Sequence, residues 1–152
     1  AMPLLRSAKR WPFSPPEPQT LSMKNFPVVP ELSTPRGYSY VASASGTFVF
    51  VAGQIALDRE GNMVGPGDLR AQAVQVFENV KACLAAAGAT FEDVVKLNTY
   101  VVNLTPEDLP IIRDVRNTYL SAANPPASTM VGVTALAIEG RLIEIEVVAV
   151  ID

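Results

Sequence analysis

Hydrophobic and polar positions alternate along LIEIEVVAV (residues 142–150), which predicts a β-strand near the C-terminus. Because successive side chains of a strand point to opposite faces, one face is entirely aliphatic: Ile143, Ile145, Val147 and Ala149. The opposite face combines two carboxylates with aliphatic side chains: Leu142, Glu144, Glu146, Val148 and Val150. The first face suits a protein core, whereas the second is too apolar to be an ordinary solvent-facing side.

Two segments have the three- and four-residue spacing of apolar side chains that predicts an amphipathic helix. The first begins after Asp68, which can cap it, and ends at Gly88. Its predicted buried stripe is Leu69, Ala73, Val76, Phe77, Val80, Leu84 and Ala87. The second has Thr105 and Pro106 as start signals and is regular from Leu109 onward. Its predicted stripe is Leu109, Ile112, Val115 and Tyr119.

Short β-patterned runs separate the predicted helices. The predicted strands are residues 38–42, 47–52, 94–104, 129–136 and 141–151, with a further short strand after a turn at Glu60 and Gly61. The first two are expected to form a hairpin through SASG. The element order is β-β-(β)-α-β-α-β-β, which predicts an α+β fold with two helices on one face of a sheet.

The second face of the C-terminal strand has no predicted element left to cover it. If such an apolar sheet face were left uncovered in water, it would promote association between chains. We therefore expect the chain to oligomerise through this face. That arrangement would place Glu144 and Glu146 partly buried at an interface between subunits.

The N-terminal quarter differs from the rest of the chain. Eight of the thirteen prolines fall in residues 1–36, which predicts an irregular proline-rich arm before a folded domain of residues 37–152. Residues 2–11 lack acids, as transit peptides do, but proline disfavours the amphipathic helix of such a peptide. The arm has five Lys/Arg against two Asp/Glu, whereas the domain has seven against thirteen. An acidic domain disfavours nucleic-acid binding.

Composition restricts the available chemistry. The chain has 152 residues, 49% hydrophobic and 18% charged, which suits one globular domain. No apolar run approaches the roughly 18–20 residues of a membrane span, and the single cysteine, Cys83, suits a reducing compartment, so we expect a soluble, cytoplasmic protein. Cys83 is expected near the core. The absence of histidine excludes Ser-His-Asp and HExxH chemistry, and no metal or cofactor is expected.

Five segments, taken in order, resemble one known family. They are GYS (residues 37–39), VFVAGQI (49–55), QVFENVKACLAAAGATFEDVVKL (75–97), NPPAST (124–129) and IEIEVVAV (143–150). The ordered set, which spans residues 37–151, is similar to the YjgF/RidA family. The resemblance implies a chorismate-mutase-like α+β fold and a homotrimer whose sheets form a barrel, with small-molecule clefts between subunits. It also implies hydrolysis of reactive enamines and imines to a carbonyl compound and ammonia.

The resemblance also implies a set of cleft residues. Glu144 would be catalytic, because it could orient a water molecule and accept its proton. The implied substrate-binding residues are Tyr38, Gly53 through its backbone amide, Arg113, Ser128 and Thr129. Partial burial beside Glu146 is expected to raise the pKa of one carboxylate.

One position departs from the family pattern. Imine-deaminating members carry an arginine immediately before the serine of the NPPAST-like segment, whereas this chain has Ala127. A bidentate arginine–carboxylate contact contributes roughly two to three decades in affinity. Either the substrate lacks a carboxylate or another cation binds it, and Arg113 and Arg116 are the nearest candidates. Both could instead lie on a solvated helix face.

Several alternatives remain open at this stage. Glu146 could form an ion pair with Lys96, Tyr38 could be a packing aromatic, and Gly53 could be required by a strand bend. A non-catalytic small-molecule-binding or regulatory trimer is the second hypothesis for the whole protein. Endoribonuclease activity, the other label of this family, is disfavoured by the acidic domain and the missing histidine.

Overall fold

A four-stranded sheet forms the centre of the fold in the computed structural model, which describes residues 24–152. In chain order the elements are β1 (Lys24–Asn25), β2 (Ser43–Ala44), β3 (Thr47–Gln54), α1 (Leu69–Ala86), β4 (Val94–Val102), α2 (Asp108–Asn117), β5 (Ala127–Val133) and β6 (Ile143–Ile151). The order in the main sheet is β3-β6-β4-β5, in which β4 and β5 are parallel and the other pairs antiparallel. This is a mixed α+β fold with two helices, as predicted.

The helix boundaries follow from the predicted end signals. Asp68 caps α1 by accepting a hydrogen bond from the Ala71 amide at 3.0 Å. The chain leaves α1 through Gly88, whose φ of +74° is strained for residues with a side chain. Pro110 lies in the first turn of α2, where no intrahelical N–H bond is lost.

The aliphatic face of β6 lies in the core, which confirms its predicted orientation. Ile143, Ile145 and Ala149 are fully buried. Both helices supply the same core, α1 mainly through Phe77 and Leu84 and α2 through Ile112 and Val115. The Tyr119 ring stacks on that of Phe77 with centroids 4.9 Å apart, so the end of α2 is fixed against α1.

The opposite face of the sheet is largely open in the single chain. Phe48 and Phe50 on β3 stack with centroids 6.2 Å apart and are 54% and 76% exposed. Val131 on β5 is also exposed. Val150, however, is buried, contrary to the prediction for this face. The Lys24 ammonium reaches the carbonyl oxygen of Val150 at 3.5 Å, so Lys24 lies at that end of the sheet.

The predicted N-terminal hairpin is wrong. Within residues 38–42, Ser39 makes an isolated parallel bridge to Ala127, and its amide donates to the Pro126 carbonyl at 3.0 Å. The strand that follows, β2, pairs with β1 rather than with β3. The partner of β3 is β6, because β6 supplies the longer and more apolar edge. The short strand predicted after Gly61 is reduced to a single bridge.

Strand β5 begins two residues earlier than predicted and ends at Val133. Consequently Ser128 lies within the strand and not in the loop before it, and Thr129 lies in the strand as predicted. Their side chains therefore point to opposite faces of the sheet.

Two kinds of feature are absent from residues 24–152. No helix there is long and apolar enough to cross a membrane. The same residues hold no cluster of three or more His, Cys, Asp or Glu side chains that could bind a metal ion. Cys83 is a free thiol that packs, partly buried, against the core.

Candidate functional site

Glu144 lies against a bulge in the neighbouring strand. The pairing of β3 with β6 is regular up to Val51 and resumes at Gln54, so Ala52 and Gly53 form an irregular step. A Cβ added to Gly53 would overlap the Glu144 carboxyl group, with Cδ only 2.7 Å away. Glycine therefore leaves room for the partly buried Glu144 carboxylate, which occupies the space that a side chain at this position would take.

Glu146 belongs to a separate hydrogen-bond network on the same face. Its Oε1 accepts from Asn98 Nδ2 at 2.9 Å and from the Tyr100 hydroxyl at 2.8 Å. These two donors, Asn98 first, lower the pKa of Glu146, so the expectation of a raised pKa is wrong for this carboxylate.

The ion pair predicted between Glu146 and Lys96 does not form. The register explains this result, because Asn98 lies opposite Glu146 whereas Lys96 lies opposite Val148. The Lys96 ammonium instead donates to the Thr129 hydroxyl at 2.8 Å.

We expect the substitution Tyr100→Phe to raise the pKa of Glu146, because it removes one of the two donors that stabilise the carboxylate. The folded-state pKa is depressed, so the ionised group stabilises the fold above its unfolded pKa, and this contribution is lost as pH falls through the folded pKa. In Tyr100→Phe the contribution should be smaller and its loss should be complete at a higher pH. Carboxyl ¹³C NMR titration measures the shift, and Tyr40→Phe should leave Glu146 unchanged.

Three of the predicted substrate-binding residues meet in one pocket on the face of the sheet that the helices cover. Tyr38, Arg113 and Ser128 line a cavity of about 250 Å³ together with Leu104, Leu109 and Met130. Tyr38 is held by an edge-on contact with the Tyr40 ring, with centroids 5.5 Å apart. The side chain of Ser128 faces this pocket because its register partner on β4 is Leu97, a core residue.

Two further arginines line the same pocket; the predicted substrate-binding set did not include them, although Arg116 was one of the two alternative cations. They are Arg36, at the end of the predicted arm, and Arg116 on α2. Arg116 is only 7% exposed, so the alternative that it lies on a solvated helix face is wrong. Its guanidinium packs beneath Gly37, where an added Cβ would lie 2.6 Å from one guanidinium nitrogen.

The sequence contains a partial signal for the position of Arg116. It follows Val115 of the predicted buried stripe and lies three residues after Arg113, so both arginines share one side of α2. Burial, and then the charge of Arg113, lower the pKa of Arg116. Arg36 has no comparable signal, because its position depends on the path of an irregular segment.

The six candidate residues therefore fall into two groups within one chain. Glu144, Gly53 and Thr129 lie on the open face of the sheet, whereas Tyr38, Arg113 and Ser128 surround the arginine-lined pocket. Strand β4 separates β6 from β5, which places these two strands about 10 Å apart.

These two groups offer different chemistry. The Glu144 group supplies a carboxylate held at a strand bulge, which can accept a proton from water. The pocket supplies guanidinium and hydroxyl groups, which can donate hydrogen bonds to an anionic or carbonyl oxygen.

Comparison with known families gives a match over most of the chain. Residues 30–151 match the model of the family described as endoribonuclease L-PSP. Among curated relatives, a 2-iminobutanoate/2-iminopropanoate deaminase from Dermatophagoides farinae is 36% identical over 132 residues, which cover 87% of this chain and 100% of the relative.

Solved structures agree with this match. A Rid-family protein of unknown function, YyfB from Yersinia pestis, is 40% identical with a TM-score of 0.78, covering 86% of this chain and 100% of that one. TdcF from Escherichia coli, solved with bound serine, is 29% identical with a TM-score of 0.61, covering 70% and 83%.

Proposed function

Because this chain belongs to the endoribonuclease L-PSP family, also called YjgF/RidA, we propose that it hydrolyses reactive imines and enamines. Water adds to the C=N carbon, and the resulting carbinolamine releases ammonia to leave a carbonyl compound. An enamine first tautomerises to the imine. The observation that carries this proposal is the Glu144 carboxylate held against Gly53, where it can act on a bound water molecule.

Glu144 is the proposed catalytic residue. An imine carbon is already electrophilic, so the protein needs only to position the ligand, orient the water and accept its proton. As that water attacks, Glu144 takes one proton, which can later be returned to the departing nitrogen. This chemistry suits a chain without histidine.

The remaining proposed roles concern substrate binding. Tyr38, Ser128 and Thr129 would supply hydroxyl groups, Gly53 its backbone amide, and Arg113 a positive charge. These side chains lie in two groups within one chain. A single small ligand would contact both groups if neighbouring subunits supplied one group each. We therefore propose a homotrimer with the ligand in clefts between subunits, and the exposed Phe48 and Phe50 support such an association.

We also propose an altered substrate specificity, because Ala127 occupies the position of the family arginine. Ala127 opens β5 opposite Lys96 and has no charge to offer a substrate carboxylate. The wild-type protein should therefore favour substrates whose anionic group, where present, is bound elsewhere.

An assay with two imine sources tests the function and the specificity together. An amino-acid oxidase supplies 2-imino acids and an amine oxidase supplies uncharged imines, and semicarbazide traps whatever the protein does not hydrolyse. We expect the protein to slow semicarbazone formation in at least one arm. Ala127→Arg should raise kcat/KM for 2-imino acids by about tenfold to a hundredfold, the value of a charged hydrogen bond.

The matched control for that variant is Ala127→Met, which adds length without charge and should give no such increase. If the purified protein matches buffer in both arms, the proposed hydrolysis is wrong.

The second candidate is a small-molecule-binding trimer without catalysis, which the uncharged side chain at Ala127 favours. Tight binding of small molecules that are recovered unchanged would support it. Endoribonuclease activity has less support, since the described domain is acidic and the chain has no histidine. RNA cleavage that purifies with the protein and persists without residues 1–23 would favour that activity instead.

A further inference from the structure

Arg116 is a buried cation whose charge is not balanced by the residues around it. It is 7% exposed, and no acidic side chain within residues 24–152 forms an ion pair with it. None of the hydrogen bonds within that part of the chain involves its guanidinium group. Burial of an uncompensated charge destabilises a fold. A second arginine three residues earlier on the same helix adds like-charge repulsion.

The neighbouring carboxylates do not neutralise this pocket. Asp114, next to Arg113 in sequence, pairs across the helices with Arg70 at 3.1 Å. Asp108, at the start of α2, accepts hydrogen bonds from the amide and hydroxyl groups of Thr105. The lining of the pocket contains three arginines and, among the described residues, no aspartate or glutamate.

We propose that Arg36, Arg113 and Arg116 together bind a doubly charged oxyanion, either a phosphate monoester or a dicarboxylate group. Guanidinium groups match the oxygens of both through paired hydrogen bonds. The hydroxyl groups of Tyr38 and Ser128 line the same pocket and add two neutral donors.

The size of the pocket restricts its occupant. Its volume is about 250 Å³, smaller than the roughly 300–1,000 Å³ of sites that enclose a drug-sized ligand. The occupant is therefore a small anion or the anionic end of a larger molecule.

The position of the anion bears on substrate class. If the hydrolysis proposed above is correct, on which this step rests, the substrate is an imine or enamine that carries such a dianionic group. Arg36, Arg113 and Arg116 would then supply the positive charge that Ala127 lacks. The anion pocket itself does not depend on catalysis.

Calorimetric titration of the full-length protein with inorganic phosphate and with malonate tests the pocket. We expect at least one of the two to bind, and acetate, a monoanion, to bind at least tenfold more weakly. The tighter of the two identifies the group as a phosphate or a dicarboxylate. Arg116→Met should weaken binding by about tenfold to a hundredfold. Arg70→Met, which removes an exposed arginine outside the pocket, should leave binding unchanged.

Thermal unfolding separates a binding role from a structural one. Because Arg116→Met replaces a buried charge with an apolar side chain of similar length, the ligand-free variant should melt no lower than the wild type. It should also lose the rise in melting temperature that the bound anion gives the wild type. Should Arg116→Met prove unstable, Arg36→Met, at an exposed position, must weaken anion binding instead.

The proposed anion site is refuted if neither phosphate nor malonate binds the wild type, or if the arginine variants bind these anions as tightly as the wild type does. Anion binding by Glu144→Gln should be no weaker than that of the wild type, because Glu144 is not one of the groups that line the pocket and donate to the anion. Failure of the imine assay with retained anion binding would therefore refute the proposed hydrolysis and leave the pocket intact.

Discussion

Replacing Glu144 by glutamine is expected to lower kcat/KM for imine hydrolysis by about 10²–10⁴-fold, the usual contribution of a positioned general base. Glutamine keeps nearly the same shape, so it should still fit against Gly53. The amide cannot take a proton from water at neutral pH. The loss should therefore appear mainly in kcat, with little change in the melting temperature.

Glu146→Gln is the matched control, since it changes the neighbouring carboxylate on the same face. Glu146 already accepts hydrogen bonds from Asn98 and Tyr100, so its role is to organise the sheet. We expect less than about a tenfold loss of kcat/KM from that variant, below the range for a general base. Initial rates of imine hydrolysis, measured with and without semicarbazide, give kcat/KM for both variants. Equal rates for Glu144→Gln and the wild type would remove Glu144 from the mechanism.

The parts of the fold that sequence pattern predicted are those in which local signals and burial agree. The aliphatic side of β6 is buried because its alternation has the period of a strand. Helix α1 begins after its capping aspartate, Asp68, which accepts a hydrogen bond from a backbone amide of the first turn. It ends before Gly88, whose positive φ lets the chain leave the helix.

The errors involve choices between partners that are distant in sequence. The hairpin predicted from residues 38–52 required β3 to pair with its neighbour in sequence, but β6 is the longer partner. The ion pair between Lys96 and Glu146 fails for a similar reason. Residue type alone made the pair plausible, yet the register places Asn98 opposite Glu146. Register depends on the whole sheet, so a single strand's pattern does not specify it.

The candidate site was predictable to a similar extent. Resemblance to the family gave Glu144 with Gly53, and the structure brings these two into contact. It also gave Tyr38, Arg113 and Ser128, which share a pocket. Arg36 was not assigned to the site and Arg116 was only an alternative cation, because a cation on an irregular arm or an amphipathic helix is usually solvated. The packing beneath Gly37 shows that Arg116 is buried.

Replacing Gly53 by alanine should displace the Glu144 carboxylate. Gly53 does not have a positive φ, so alanine is compatible with the backbone and the whole effect is steric. The added Cβ overlaps the carboxyl group of Glu144, which must rotate away or shift the strand. Overpacking of this kind costs about 1–3 kcal/mol of stability. A carboxylate moved by about 1 Å would lower the rate of hydrolysis by about 10²-fold.

A double variant separates this contact from any general intolerance at the bulge. Glu144→Ala removes all three Glu144 atoms, Cγ, Cδ and Oε1, that the new Cβ would meet. In that background Gly53→Ala should cost about 0.5 kcal/mol or less, so the two substitutions should couple by about 0.5–3 kcal/mol in urea unfolding. An equal cost in both backgrounds would mean that Gly53 serves the strand bend alone. Because this coupling is measured without substrate, it tests the geometry of the site even if the chemistry proves different.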